Sequence, residues 1–323
     1  MENPISPEEP TPGSPPDPNR GLFLQGLQAY QHAANTDKNV EQLEAAALQM
    51  LNAAAAQAQR NPTPEQAIYL AVRECEARGD WPGAEAGYRA ILTHREAAGL
   101  PLLVYKAQLD LANLYFLLEA WPRAQAAARL ATAAARQADM SPALVVALET
   151  EALCSLRMGD PAGALASATA AVTAVEPGAE FGPLRAGALV MVARCHVAAG
   201  NWSAAAAVLD AARPEVVDQE TSPFFAGQRS RTAAWWEATA ALLGQQADWP
   251  GALAAWEKAV DLRRGVATLP HVAGPYTQGS LARTLRQQAA ALADAGQQAE
   301  SRLVREEVRA IWLELGLPGN DHP

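Results

Sequence analysis

From Gly21 onward, apolar residues recur every three or four positions in stretches long enough for helices. Leu102 to Leu118 is one such stretch, and the Ala/Leu-rich run from Arg123 to Gln137 is another. That spacing predicts amphipathic helices and not strands. The break between the two recurs along the chain. Gly79-Asp80-Trp81-Pro82-Gly83-Ala84 returns as Glu119-Ala120-Trp121-Pro122-Arg123-Ala124 and as Gly159-Asp160-Pro161-Ala162-Gly163-Ala164. Gly200-Asn201-Trp202-Ser203-Ala204-Ala205 and Ala247-Asp248-Trp249-Pro250-Gly251-Ala252 follow. The closing alanines are 40, 40, 41 and 47 residues apart. A weaker copy surrounds Gly296, with Ala299 or Ser301 in the alanine slot. Self-similarity at this period is the mark of a solenoid of stacked units.

Each copy reads as the turn of a helical hairpin. Gly or a small residue ends the first helix, Asp or Asn caps the second, and Pro suits a first-turn position. The recurring Trp is expected to wedge between paired helices, and the closing Ala to permit close contact. Thr63-Pro64-Glu65-Gln66 reads as a capping box, and Ser141-Pro142 and Ser222-Pro223 read as similar helix starts. Residues 22–34 and 39–59 form a further predicted pair. The expectation is an all-α, right-handed superhelical solenoid of about seven antiparallel hairpins in 40–47-residue units. The expected organisation is a Pro-rich tail over 1–20, a capping helix pair over 21–60 and the repeats over 61–323. Seven of the first 20 residues are proline, which predicts an extended tail.

Composition sharpens this picture. Alanine supplies 74 of the 323 residues, while aromatic residues make up only 6%. The best helix former in such excess argues against a β-rich fold. The net charge of −10 argues against generic binding to nucleic acid or an anionic membrane. Three cysteines (Cys75, Cys154, Cys195) are too few for a disulfide scaffold, and free thiols in the cytoplasm are expected. No secretory signal or run of 18 apolar residues is visible.

Chemistry-bearing motifs are missing from the sequence: no phosphate-binding Gly-rich loop, no His-Glu-x-x-His and no Gly-x-Ser-x-Gly. The five histidines are scattered, and Cys195-His196 cannot converge on one ligand from adjacent helical positions. Cys154 and Cys195 share a repeat slot and read as packing residues. No catalytic residue, metal or cofactor is therefore expected. Trp81, Trp121, Trp202 and Trp249 share a slot too, so core packing is their expected role. One member of Trp235-Trp236 could face a partner, with a second packing layer as the plainer reading.

The repeats resemble the tetratricopeptide family. Leu111-Ala112-Asn113-Leu114-Tyr115 is similar to the first-helix signature of that family, and the turn motif to its Gly-Asp-Tyr turn, with Trp in the Tyr slot. Units of 40 and above, the Leu109–Tyr115 run, Ala259-Val260-Asp261-Leu262-Arg263-Arg264 and the Leu315-to-Pro323 terminus resemble the kinesin-light-chain type. In overall character the chain is similar to the bacterial kinesin light chains that accompany bacterial tubulins.

The resemblance implies a groove lined by the first helix of each unit. Carried over, its inward slots hold Gln66, Tyr69 and Arg73, then Lys106, Leu109 and Asn113, then Leu153 with Arg157 nearby. Arg194 follows, then Arg283 and Arg286, with Glu149 and Glu237 interrupting the series. An arginine stripe favours an acidic protein segment; the alternative is a solvated face whose charges pair with neighbouring glutamates. The function expected is a non-enzymatic interaction scaffold whose concave groove binds a protein partner through an acidic segment or a filament surface, with a bacterial tubulin filament the suspected case. The second expectation is a regulatory module that senses a signalling peptide.

Overall fold

The computed structural model describes residues 63–175, 182–217, 226–269 and 272–317. The expected tail over 1–20, the helix pair over 21–60 and the Ser222-Pro223 start lie outside the described residues. The chain divides into two compact units, residues 1–70 and 71–323.

Twelve helices and no strand occur among the described residues. They are α1 (Pro64–Ala77), α2 (Trp81–Ala97), α3 (Pro101–Leu117), α4 (Trp121–Gln137), α5 (Ser141–Arg157) and α6 (Pro161–Thr173). The series continues with α7 (Gly182–Ala198), α8 (Trp202–Val217), α9 (Ala226–Gln245), α10 (Trp249–Ala267), α11 (Pro275–Asp294) and α12 (Gln298–Glu314). The architecture is an all-α solenoid. Every copy of the repeated motif falls on the turn inside a hairpin, so the odd-numbered helices are the first members and the even-numbered the second. Longer helices contribute to the wider spacing near residue 250: α9, α10 and α11 have 20, 19 and 20 residues against 17 for α2 to α5.

The turn chemistry follows from its residues. Asp80, Asp160 and Asp248 cap the next helix by accepting from the backbone N–H of Gly83, Gly163 and Gly251 at 3.0, 2.9 and 3.1 Å. The capping carboxylate then occupies the space of a third-residue side chain: a Cβ on Gly163 would lie 2.1 Å from Asp160 Oδ2. Aspartate and glycine therefore travel together in this motif. Where the cap is Ala120, the third residue is Arg123. Thr63 and Gln66 form the expected reciprocal cap, with backbone-to-side-chain bonds of 2.9 and 3.3 Å. Ser141 does not cap: it is already the first residue of α5, and Met140 stands at the cap with no side-chain bond.

Ala84, Ala124, Ala164, Ala205 and Ala252 are all fully buried, and Ser301 takes their slot in the last hairpin, its hydroxyl donating to Ala289 O at 2.7 Å. The tryptophan slot does not behave as one. Trp81 is buried and Trp121 and Trp249 half-buried, but Trp202 is 43% exposed. The expectation that all four pack in the core fails at Trp202, because burial of this slot depends on what the neighbouring elements lay over it. Trp235 is buried, and Trp236 lies half-buried beneath Lys258 at 4.0 Å.

From α2 on, each helix packs against its successor, and first helices stack on first helices: α3 on α5, α5 on α7, α7 on α9. The unit from Ala71 on also packs back on itself, with α11 against α3. Trp81 Nε1 donates to the carbonyl of Leu315 at 3.1 Å. Gly79 and Gly316 approach backbone to backbone, both with positive φ (68° and 65°), so a side chain at either would be strained, and a Cβ on Gly79 would crowd Leu315 O at 3.3 Å. Beside them the buried Glu76 carboxylate accepts from Tyr88 Oη at 2.7 Å, from Tyr276 Oη and from Arg73 Nη1 at 2.9 Å.

Candidate functional site

Because first helices stack on one another and α11 returns to α3, side chains from five first helices meet in one interior, Phe116 of α3 among them. Arg157 ends α5, Arg194 lies on α7, Glu237 on α9, and Arg283 and Arg286 on α11. Arg263 reaches in from the second helix α10, and Glu119 from the turn between α3 and α4. Five guanidiniums thus face two carboxylates.

Glu237 is the centre of the arrangement. Its Oε1 accepts from Arg263 Nε at 3.0 Å and Thr284 Oγ1 at 2.8 Å, and its Oε2 lies 3.8 Å from Arg194 Nη1. Burial alone would raise this carboxyl, but the guanidiniums of Arg263 and Arg194 and the Thr284 hydroxyl hold it below the ordinary carboxylate value. Glu119 pairs with Arg286. Two cations are left without a carboxylate in contact. Arg283, 8% exposed, stacks on Phe116 at 4.6 Å and keeps Nη1 buried and unpartnered. Arg157, stacked more loosely on Trp121 at 6.0 Å, keeps Nε so. Burial first, and then the neighbouring guanidiniums, push Arg283 down to about 9 and Arg157 down to about 10. Both stay charged at neutral pH.

Two cavities adjoin these groups. A small one of about 50 Å³ lies between Arg157, Arg194, Arg263 and Arg283, with Thr284 and Gln287 on its wall. A larger one of about 390 Å³ shares Leu153, Arg157, Arg194, Glu237 and Gln287 with it and is otherwise largely apolar, with Trp249 and Trp256 on its wall. A third, of about 280 Å³, has Arg194 on its wall together with Glu149 and Arg231. These two close over Gly187: a Cβ there would lie 2.7 Å from Glu149 Oε1 and 2.8 Å from Arg231 Nε, and neither of those atoms has a partner. Burial pushes the Glu149 carboxyl up to about 7, against the opposing pull of Arg231.

The structure brings together Arg157, Arg194, Arg283 and Arg286 of the expected stripe. The others stay with local partners. Arg73 is exposed and pairs with Glu76, Lys106 pairs with Asp110 one turn on, and Asn113 is exposed. Tyr69 is half-buried on the part of α1 that belongs to the first unit. Arg263 and Glu119 were not anticipated, since a register confined to first helices skips a second helix and a turn. Arg194 and Arg263 expose 17% and 13% of their side chains and pair with Glu237, Arg286 exposes 30% and pairs with Glu119, and Arg73 exposes 56%. Cys154 and Cys195 are fully buried, and burial raises their thiols to about 12 and about 11, so both are poor nucleophiles at neutral pH. Among the described residues no group of three His, Cys, Asp or Glu side chains could hold a metal, and no helix is long and apolar enough to cross a membrane.

No family model matches the chain, and no curated protein matches it. Solved structures do. The apo form of RapI is 9% identical, with 92% of this chain and 98% of that one covered and a TM-score of 0.58. A Rap protein complexed with Competence and Sporulation Factor is 11% identical, with 92% and 75% covered and a TM-score of 0.61. BtubC (BKLC) from P. vanneervenii is 14% identical, with 95% of each chain covered, but its TM-score of 0.35 is too low to bear on type. At these identities the likeness to the Rap structures concerns the fold.

Proposed function

We propose that the chain is a non-enzymatic interaction scaffold that holds an acidic segment of a protein partner in the interior lined by α3, α5, α7, α9 and α11. The observation that carries this reading is the convergence of five guanidiniums on two carboxylates inside an acidic protein. Arginine forks match carboxylates two bonds at a time, and their low exposure strengthens each contact. The kinesin-light-chain type, and with it a tubulin filament as partner, rests on the sequence resemblance. The regulatory reading, in which the bound segment is a signalling peptide, draws support from the likeness to Rap proteins, one of them solved with Competence and Sporulation Factor. An interior bounded by α11 against α3 also suits a short ligand better than a flat lattice.

The test is selection of random dodecapeptides, displayed with their carboxyl ends fused, on the full chain and on Arg194→Gln. Acidic peptides are expected to be enriched on the wild type and to bind the variant at least tenfold more weakly. Absence of enrichment, or a consensus that binds both alike, removes the reading. Co-sedimentation with polymerised bacterial tubulin decides the filament case separately.

A further inference from the structure

We propose that the interior contains a site for an organic carboxylate with an apolar body, its head seated between Arg157, Arg194 and Arg283 and its body against Leu153, Trp249 and Trp256. This rests on the interior being where ligands bind, and it names their chemistry.

Three independent observations lead there. The first is charge: Glu237 and Glu119 engage Arg263, Arg194 and Arg286, which leaves Arg157 and Arg283 with no carboxylate in contact. The second is unmet hydrogen bonding. Arg157 Nε and Arg283 Nη1 are buried donors with no acceptor, and Arg283 is more than nine-tenths buried. Buried donors of charged groups are rarely left so, and an acceptor from outside the chain resolves both at once. The third is shape. The cavity between the guanidiniums, about 50 Å³, admits a single oxyanion head. The adjoining one, about 390 Å³, is bounded largely by Leu, Ala, Val and Trp side chains and shares a wall with it.

The arrangement is rigid where it needs to be. Phe116 fixes the Arg283 plane from one side, and Trp312 lies 6.0 Å away. Glu237 Oε1 is taken up by Arg263 and Thr284, while Oε2 lies 3.8 Å from Arg194 on the wall of the head cavity, so the position suits a singly charged head. Asp294, the other carboxylate on the walls, sits eleven residues beyond Arg283, about 16 Å further along α11, away from the head. A multiply charged anion such as phosphate would face Glu237 and leave the apolar cavity empty, so the body matters as much as the head.

The probes are hexanoate, hexanol and inorganic phosphate, each titrated into the full chain at constant ionic strength. The readouts are melting temperature and tryptophan emission, which Trp249 and Trp256 report. Hexanoate is expected to raise the melting temperature saturably and shift the emission, with hexanol and phosphate at least tenfold weaker. Arg157→Gln and Arg283→Gln are expected each to weaken hexanoate at least tenfold while keeping the helical far-ultraviolet signal, and Arg157→Lys to weaken it less. Equal binding of hexanol or phosphate, no response to hexanoate, or variants that respond as the wild type does would each overturn the site. Acetyl-Ala-Leu as free acid and as amide then separates sources. A free acid that outbinds hexanoate marks a polypeptide end as the natural ligand; the reverse marks a small acid. Fused-end peptides that bind without any hexanoate response leave the partner-segment reading standing and remove this one. Hexanoate binding without any selected peptide does the opposite.

Discussion

Two buried carboxylate clusters hold this solenoid's interior, and they are solved differently. At Glu76 every polar group has found its complement: two tyrosine hydroxyls and one guanidinium donate to one carboxylate, and α11 is thereby fixed to α2 and the end of α1. At Glu237 one oxygen accepts from Arg263 and Thr284 and the other faces Arg194 at 3.8 Å, but the surroundings are oversupplied with cations, and two guanidiniums keep idle donors. A saturated network stabilises a structure; a network with surplus charge costs stability until something fills it. The contrast separates polarity already paired from polarity still unpaired within one protein.

The largest effect should come from breaking the saturated cluster. Glu76→Ala strands the hydroxyls of Tyr88 and Tyr276 and is expected to cost about 3–5 kcal/mol in urea unfolding. A cost under about 1 kcal/mol would mean the tyrosines find other acceptors.

Next comes Glu149. Its carboxyl is raised in the folded chain to about 7, so the folded state holds a proton that the unfolded state gives up earlier. The stability this provides is full below the unfolded value near 4.3 and is lost as pH rises through 7, by roughly 2–3 kcal/mol. Glu149→Gln should flatten the melting temperature between pH 5 and pH 8; an unchanged slope would place the titration elsewhere.

Arg283→Gln probes the surplus side of the comparison. Removing an uncompensated buried cation should leave unfolding stability unchanged or raise it by about 1 kcal/mol, the lost Phe116 contact included. A loss above about 2 kcal/mol would put Arg283 with Glu76 as a structural residue.

The smallest effect is expected at Trp202→Ala, below about 0.5 kcal/mol, against about 3 kcal/mol for Trp81→Ala in the same repeat slot. Similar losses at both would mean that the slot, and not its cover, sets the energy.

That tryptophan pair shows where sequence reasoning works and where it stops. The hairpin turns were legible because a left-handed backbone position, a capping oxygen and a first-turn proline each demand particular residue types. The structure adds why Gly83, Gly163 and Gly251 accompany Asp80, Asp160 and Asp248, and it tolerates Glu119 and Ala247 at positive φ where other copies have glycine. Four of the eight expected site residues meet in the interior because the first-helix register is itself periodic. Arg263 and Glu119 escaped that register, and Arg73, Lys106 and Asn113 fit it in sequence but are held by local partners or left in solvent. The return of α11 to α3 leaves no repeating trace, since a solenoid's pattern encodes only contacts between neighbours. Trp81 and Trp202 are alike in sequence; what differs is that the Leu315 carbonyl reaches the first.

That single indole-to-carbonyl bond, with Gly79 against Gly316, changes how the molecule comes apart. A linear array frays from its outermost repeat inward, so its end amides exchange with solvent fastest. Here the end of α12 is secured to the start of α2, and peeling either means opening a junction 234 residues apart in sequence. The hairpins from α2 to α12 should therefore melt in one transition, with amide protection in α12 rising to that of α7, and trimming the chain before Leu315 should loosen α2.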